Sequence, residues 1–126
     1  MTQKIYNTIC WIDIPVIDLD RAIAFYAAVL DQPVNKVVEH GFEFGLLPHP
    51  ENNVSGCLSV LENRKPSDQG PLIYLNVENR LKDALKAVQE KGGEVVKDIE
   101  QIGPYGFRAT IRDTEGNGIA LYSSLN

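Results

Sequence analysis

The stretch IPVIDLDRAIAFYAAVL, residues 14–30, decides the reading of this chain. It opens as the end of an apolar strand and turns within three residues into a helix. Leu19, Ile23, Tyr26 and Leu30 fall at helical spacing, and Ala22, Phe25 and Val29 widen that stripe. Asp18 is a suitable N-cap, Asp20 suits the positive end of the helix dipole, and Pro33 stops the helix. A related pattern returns at residues 75–85, LNVENRLKDAL, with one residue inserted. There Leu81, Ala84, Leu85 and Val88 form the apolar face of a second helix, which Gly92-Gly93 ends.

Working outward from these two helices gives two copies of one element order. The first strand spans about residues 8–14. After the first helix come VNKVVEH, FEFGLL and GCLSVL, three short strand candidates separated by Gly, Pro and Asn. NRKPSDQGP, residues 63–71, is polar and turn-rich. LIYLNV is a strand ahead of the second helix, and EVVKDIEQI, YGFRATIRD and NGIALYS follow it as three more. The expectation is one α+β domain over residues 1–126. Module 1 covers about 5–62, the linker about 63–70 and module 2 about 71–124, each module reading βαβββ. Two such modules placed edge to edge form a curved mixed sheet with helices on the outer face and a concave pocket inside.

Composition narrows the function classes. The chain has 126 residues, 44% hydrophobic and 23% charged, enough for one domain with a substantial core. No apolar run reaches the length of a membrane span. The N-terminal MTQKIYNTIC has no apolar h-region, so a secretory signal is not expected. The formal net charge is −5, with the acidic excess confined to residues 1–63. No basic stripe is present, so nucleic acid is not an expected partner. The two cysteines, Cys10 and Cys57, do not make a disulfide framework, and both read as buried thiols of a cytoplasmic protein.

With its paired modules, IPVIDLDRAIAFYAAVL, LIYLNVEN and RDTEGNGIALYS, the whole chain resembles the vicinal oxygen chelate superfamily. That group includes glyoxalase I, extradiol dioxygenases, fosfomycin-resistance enzymes and bleomycin-binding proteins. The phrase WIDIPVIDLDRAIAFY looks most like a bacterial glyoxalase-related subgroup. The resemblance implies a site inside the cup and, often, a homodimer. Catalytic members hold a divalent metal with His, Glu or Asp side chains from both modules. Carried over position by position, those ligands fall at Trp11, at Leu58 or Ser59, at about Leu72 and at Ala120. None is a His, Asp or Glu, so no resident metal or other cofactor is expected. A divalent metal on an unfamiliar ligand set remains the alternative.

The residues then suggest what replaces a metal. Trp11 and Asp13 are two apart on a strand and point to one face. An indole has one N–H donor and no lone pair for a metal, but it offers a flat apolar wall for a planar ligand. Ordinary core packing is the competing reading of Trp11. Asp13 reads either as a general base, if buried beside Arg108 or Tyr74, or as a surface carboxylate. Tyr74 and Asn76 share a face, as do Ala120 and Tyr122, and these are the faces that the resemblance turns inward. GPYGF, residues 103–107, places Tyr105 in a glycine-flanked loop at the pocket mouth, followed by Arg108 as an anion-binding candidate. His40 and His49 match no metal-binding spacing and read as loop residues. TEGNG reads as the turn before the last strand.

Two classes of function follow. One is a metal-independent binder of a small planar or aromatic molecule, with Trp11, Tyr74, Asn76, Tyr105, Arg108, Ala120 and Tyr122 as ligand-binding residues. The other is a lyase/isomerase-type or ring-cleaving enzyme related to lactoylglutathione lyase, with an atypical metal site or with Asp13 as the catalytic acid/base.

Overall fold

The computed structural model describes residues 6–126. The N-terminal expectations that touch residues 1–5 lie outside the described residues. Among the described residues, eight strands and two α-helices follow the doubled order expected from the sequence: β1 (Trp11–Pro15), α1 (Leu19–Leu30), β2 (Asn35–Glu39), β3 (Phe42–Leu46) and β4 (Ser55–Ser59), then β5 (Ile73–Asn76), α2 (Leu81–Glu90), β6 (Glu94–Gln101), β7 (Phe107–Arg112) and β8 (Gly118–Ser123). They form two four-stranded mixed sheets, ordered β1-β4-β3-β2 and β5-β8-β7-β6. In each sheet the first strand runs parallel to the fourth and the remaining pairs are antiparallel. Neither sheet closes into a barrel.

Each helix is delimited by local chemistry. The Asp18 side chain accepts the Arg21 backbone N–H at 3.1 Å, satisfying a first-turn donor that has no partner within the helix. At the other end Asp31 adopts the left-handed region with φ 53°, and Pro33 lies two residues beyond. In α2 the sharp stop comes from Gly92, at φ 93°, a conformation that costs glycine little.

The core is continuous across the repeat. Ile14, Leu58, Phe25, Tyr26 and Val29 from the first half pack with Ile111, Ile119, Leu121 and Val88 from the second. The two helices touch each other. α1 lies on β3 and β4, and α2 on β6, β7 and β8. Phe25 fits against Gly93, where an added Cβ would stand 2.6 Å from the ring. The buried stripe of α1 is Leu19, Ala22, Phe25, Tyr26 and Val29. Ile23 and Leu30 are only partly buried, so the stripe is rotated slightly from the one its spacing suggests.

A polar clamp ties the β7–β8 turn to the start of α1. Glu115 accepts the backbone N–H groups of Ile17 and Asp18 at 2.9 and 2.8 Å and two bonds from the Arg21 guanidinium. Asn117 donates to the Pro15 carbonyl at 2.8 Å. The Tyr26 hydroxyl donates to Asp113 at 2.5 Å, and Asp113 also accepts the backbone N–H groups of Glu115, Gly116 and Asn117. Asp113, Glu115 and Asn117 are all buried. TEGNG is thus the turn expected, with the added work of joining the two halves.

Candidate functional site

The register of the sheets sorts the candidate residues by face. In β1, Ile12 and Ile14 point to the helix side and join the core, so Trp11 and Asp13 occupy the opposite face. β4 pairs with β1 so that Asp13 lies beside Cys57. Leu58, one of the two positions offered by the resemblance for a metal ligand, is fully buried in the core. Its neighbour Ser59 shares the face of Asp13.

Trp11, Asp13, Cys57 and Ser59 form one hydrogen-bonded group. The Trp11 indole N–H donates to Asp13 Oδ1 at 3.0 Å, and the Cys57 thiol donates to the same oxygen at 3.3 Å. The Ser59 hydroxyl lies 3.3 Å from the Cys57 sulfur. Burial pushes the Cys57 thiol up, and the Asp13 charge adds to that, against the opposing hydrogen bond with Ser59. Trp11 is 46% exposed, so its pinned ring presents a free apolar surface. Asp13 is exposed, which makes it a surface carboxylate within one chain. Its partners here are Trp11 and Cys57.

The second sheet carries a separate group. Tyr74 pairs with Ala120, and Tyr122 with both Asn76 and Arg108, so alternation puts all five on one face. Arg108 donates to the Tyr74 hydroxyl, lies 6.0 Å from the Tyr74 ring centroid and approaches Glu100 at 3.4 Å. The Tyr122 hydroxyl donates to the Tyr105 carbonyl, holding the short 3-10 turn Gly103–Tyr105 against β8. Asn76 uses its side-chain oxygen to accept the Glu78 backbone N–H at 2.9 Å. Ala120 is fully buried beneath these side chains. Among the described residues, no hydrogen bond or ion pair joins the Trp11 group to the Arg108 group.

The family's metal positions hold an indole, aliphatic side chains and one serine hydroxyl, so they do not fit a carboxylate–imidazole ligand set. His40 stands at the β2–β3 turn with φ 49°. His49 lies in the β3–β4 turn, where its Nδ1 is 2.8 Å from the Pro50 carbonyl. Among the described residues no three His, Cys, Asp or Glu side chains are grouped to hold a metal ion. Cys57 is buried as expected, but Cys10 is exposed. Cys10 lies one residue ahead of β1, outside the strand. The clamp of Asp113, Glu115 and Asn117 was not singled out from the sequence. Its one visible signal is four polar side chains in five residues of a turn.

Comparisons with known proteins agree with this architecture. The family model described as Glyoxalase/Bleomycin resistance protein/Dioxygenase superfamily matches residues 8–121. A glyoxylase-like domain-containing protein from Didymella fabae is 29% identical over 124 residues, covering 93% of this chain and 94% of its own. A glyoxalase/bleomycin resistance protein from Albidiferax ferrireducens superposes with a TM-score of 0.73 at 17% identity, over 93% of this chain and 98% of the other. A glyoxalase-related enzyme from Fulvimarina pelagi gives 0.70 at 12% identity, over 94% and 88%. The two structural likenesses speak for the fold, and the match over most of the chain speaks for the family: this protein belongs to the glyoxalase/bleomycin resistance/dioxygenase superfamily.

Proposed function

We propose that the protein binds a small planar or aromatic molecule without a metal, on the sheet faces that carry Trp11 and Asp13 on one side and Tyr74, Arg108 and Tyr122 on the other. The observation that carries this reading is the half-exposed Trp11 ring fixed by its bond to Asp13. A ring already held in one orientation loses little entropy when a ligand stacks on it. Asp13 supplies an acceptor at one end of the wall, and the acidic first half of the chain favours a neutral or cationic ligand over an anionic one.

Among the described residues no hydrogen bond or ion pair joins the two faces, and both expose apolar surface, with Leu72 and Tyr74 each 43% exposed. A homodimer that sets the Trp11 face of one protomer against the Tyr74 face of its partner completes the pocket. The reduced thiols Cys10 and Cys57 suit a cytoplasmic setting.

The test is a fluorescence titration. Trp11 is the only tryptophan, so its emission reports this face alone. Saturable quenching by planar ligands, lost in Trp11→Leu when binding is followed by calorimetry, is the expected result. No quenching across a broad ligand set would remove the proposal. Elemental mass spectrometry of untagged protein tests the metal-free part, and about one tightly held ion per chain would overturn it. Light scattering that finds only monomer would overturn the dimer.

A further inference from the structure

The repeat creates two equivalent junctions, and they are built differently. In each half the turn between the third and fourth strands faces the strand-to-helix junction of the other half. At one junction the turn 113–117 is clamped onto Pro15–Asp18 by Glu115 and Asn117. At the other the turn 47–54 faces Val77–Arg80, and among the described residues no hydrogen bond crosses between them. The reason is local. Pro48 and Pro50 have no N–H to offer, and Asn53 accepts its neighbour Val54's N–H at 2.8 Å. The result is a cavity of about 690 Å³ where the first junction is filled. That volume lies within the ordinary range of small-molecule sites, about 300–1,000 Å³.

Its chemistry is lopsided. Ile12, Ile14, Leu47, Ile73, Leu75 and Val77 contribute apolar surface. Ile12 and Ile14 stand on the face of β1 opposite Trp11, so this cavity is distinct from the Trp11 face, although Tyr74 and Asn76 also border it from β5. At the rim stands Arg80, whose side chain is 29% exposed. One guanidinium nitrogen donates to the Val29 carbonyl at 3.2 Å. Its Nε lies 3.9 Å from the Asp31 carboxylate, which is 78% exposed. A pair that long with so exposed a partner is weak and easily exchanged. Glu78, the rim's carboxylate, is occupied by the backbone N–H and hydroxyl of Ser124.

We infer that this cavity is a second binding site, for a small carboxylate with an apolar tail or ring. The tail covers the Ile14–Leu75 wall, and the carboxylate takes the planar fork of Arg80 in place of Asp31. Asp31 then returns to water at little cost.

The test follows amide NMR shifts while phenylbutyrate, and separately decanoate, is added to the full chain. Saturable shifts at Gly56 and at residues 75–80 are expected, with the Trp11 indole N–H unmoved. Phenylbutyramide, which lacks the charge, should bind at least about tenfold more weakly, as should Arg80→Gln with the acid. Val54→Phe, in the turn rather than on a helix, should block the cavity while circular dichroism shows the fold retained. Shifts centred on Trp11 or Arg108, equal binding of acid and amide, unchanged affinity in Arg80→Gln, or no saturable shift with either acid would each overturn the inference. Shifts centred on Trp11 or Arg108 would place the acid on the planar-ligand site instead, whereas the other outcomes leave quenching of Trp11 by planar ligands untouched, so the two readings fail distinguishably.

Discussion

Trp11 donates its indole N–H to Asp13 at 3.0 Å, two residues along the same strand. Neighbours on one face of a strand do not ordinarily need each other. Here the bond stops the indole from rotating and leaves its ring open. The same Asp13 oxygen also accepts the Cys57 thiol from the adjoining strand. One carboxylate therefore fixes an aromatic wall and restrains a thiol.

The thiol gives the first prediction. Burial and the Asp13 charge both push Cys57 up, so little thiolate forms at neutral pH. Cys10 is exposed. Alkylation by iodoacetamide, followed by mass spectrometry, should modify Cys10 at least about tenfold faster than Cys57. Asp13→Asn removes the negative charge that disfavours the thiolate, so Cys57 should react faster in that variant, with its pH–rate curve displaced to lower pH. Unchanged Cys57 reactivity would show that burial alone governs the thiol.

Much of this architecture was legible because its signals are local. Asp18 before an apolar stripe gives the start of α1, Gly92-Gly93 gives the end of α2, and alternation correctly puts Tyr74 with Asn76 and Ala120 with Tyr122. Three-dimensional partners were not legible. Alternation shows that Asp13 shares a face with Trp11, but not that its second donor comes from Cys57, 44 residues away. It likewise cannot show that Arg108 turns to Tyr74 and Glu100, or that Glu115 reaches α1. Those contacts depend on how sheets and helices pack, which period and capping do not encode.

Gly56 tests the β1–β4 pairing. A Cβ added there would lie 2.4 Å from the Ile12 carbonyl oxygen, a backbone atom in the adjoining strand that cannot rotate away. At Gly45 the closest atom is Cγ1 of the Ile23 side chain, at 2.8 Å, which a change of rotamer moves. Gly56→Ala should therefore destabilise by about 2–3 kcal/mol in urea unfolding, and Gly45→Ala by clearly less. Equal losses would mean that the strands separate more readily than their register suggests.

Tyr26 and Asp113 join α1 to the β7–β8 turn. The Tyr26 ring is fully buried, and burial first, then Asp113, pushes its hydroxyl well above the ordinary tyrosine value. It therefore stays a donor across the working pH range. Tyr26→Phe keeps the ring and removes one of the donors to Asp113 Oδ2, leaving Asn117 as the other. The expected loss is about 1–2 kcal/mol in unfolding free energy. A neutral result would show that Asn117 and the three backbone donors satisfy Asp113 without it.

Glu115 carries the pH dependence of the same clamp. Burial alone would raise its carboxyl, but the Arg21 guanidinium, the Asp18 and Ile17 N–H groups and the Thr114 hydroxyl outweigh burial and hold it at about 2. In the unfolded chain an ordinary glutamate titrates near 4.3. A carboxyl held lower when folded contributes stability that is complete above the unfolded value and is lost as pH falls toward the folded one. That contribution is roughly 3 kcal/mol at neutral pH. Urea midpoints should therefore be flat with respect to this group near neutrality and fall steadily between about pH 5 and pH 2. Glu115→Gln keeps the shape but loses the charge facing Arg21 and the acceptor for one or more donors. It should cost about 2–4 kcal/mol at neutral pH and flatten the acid slope. If the variant keeps the wild-type acid slope, the pH dependence belongs to other carboxylates, and the clamp acts through shape alone.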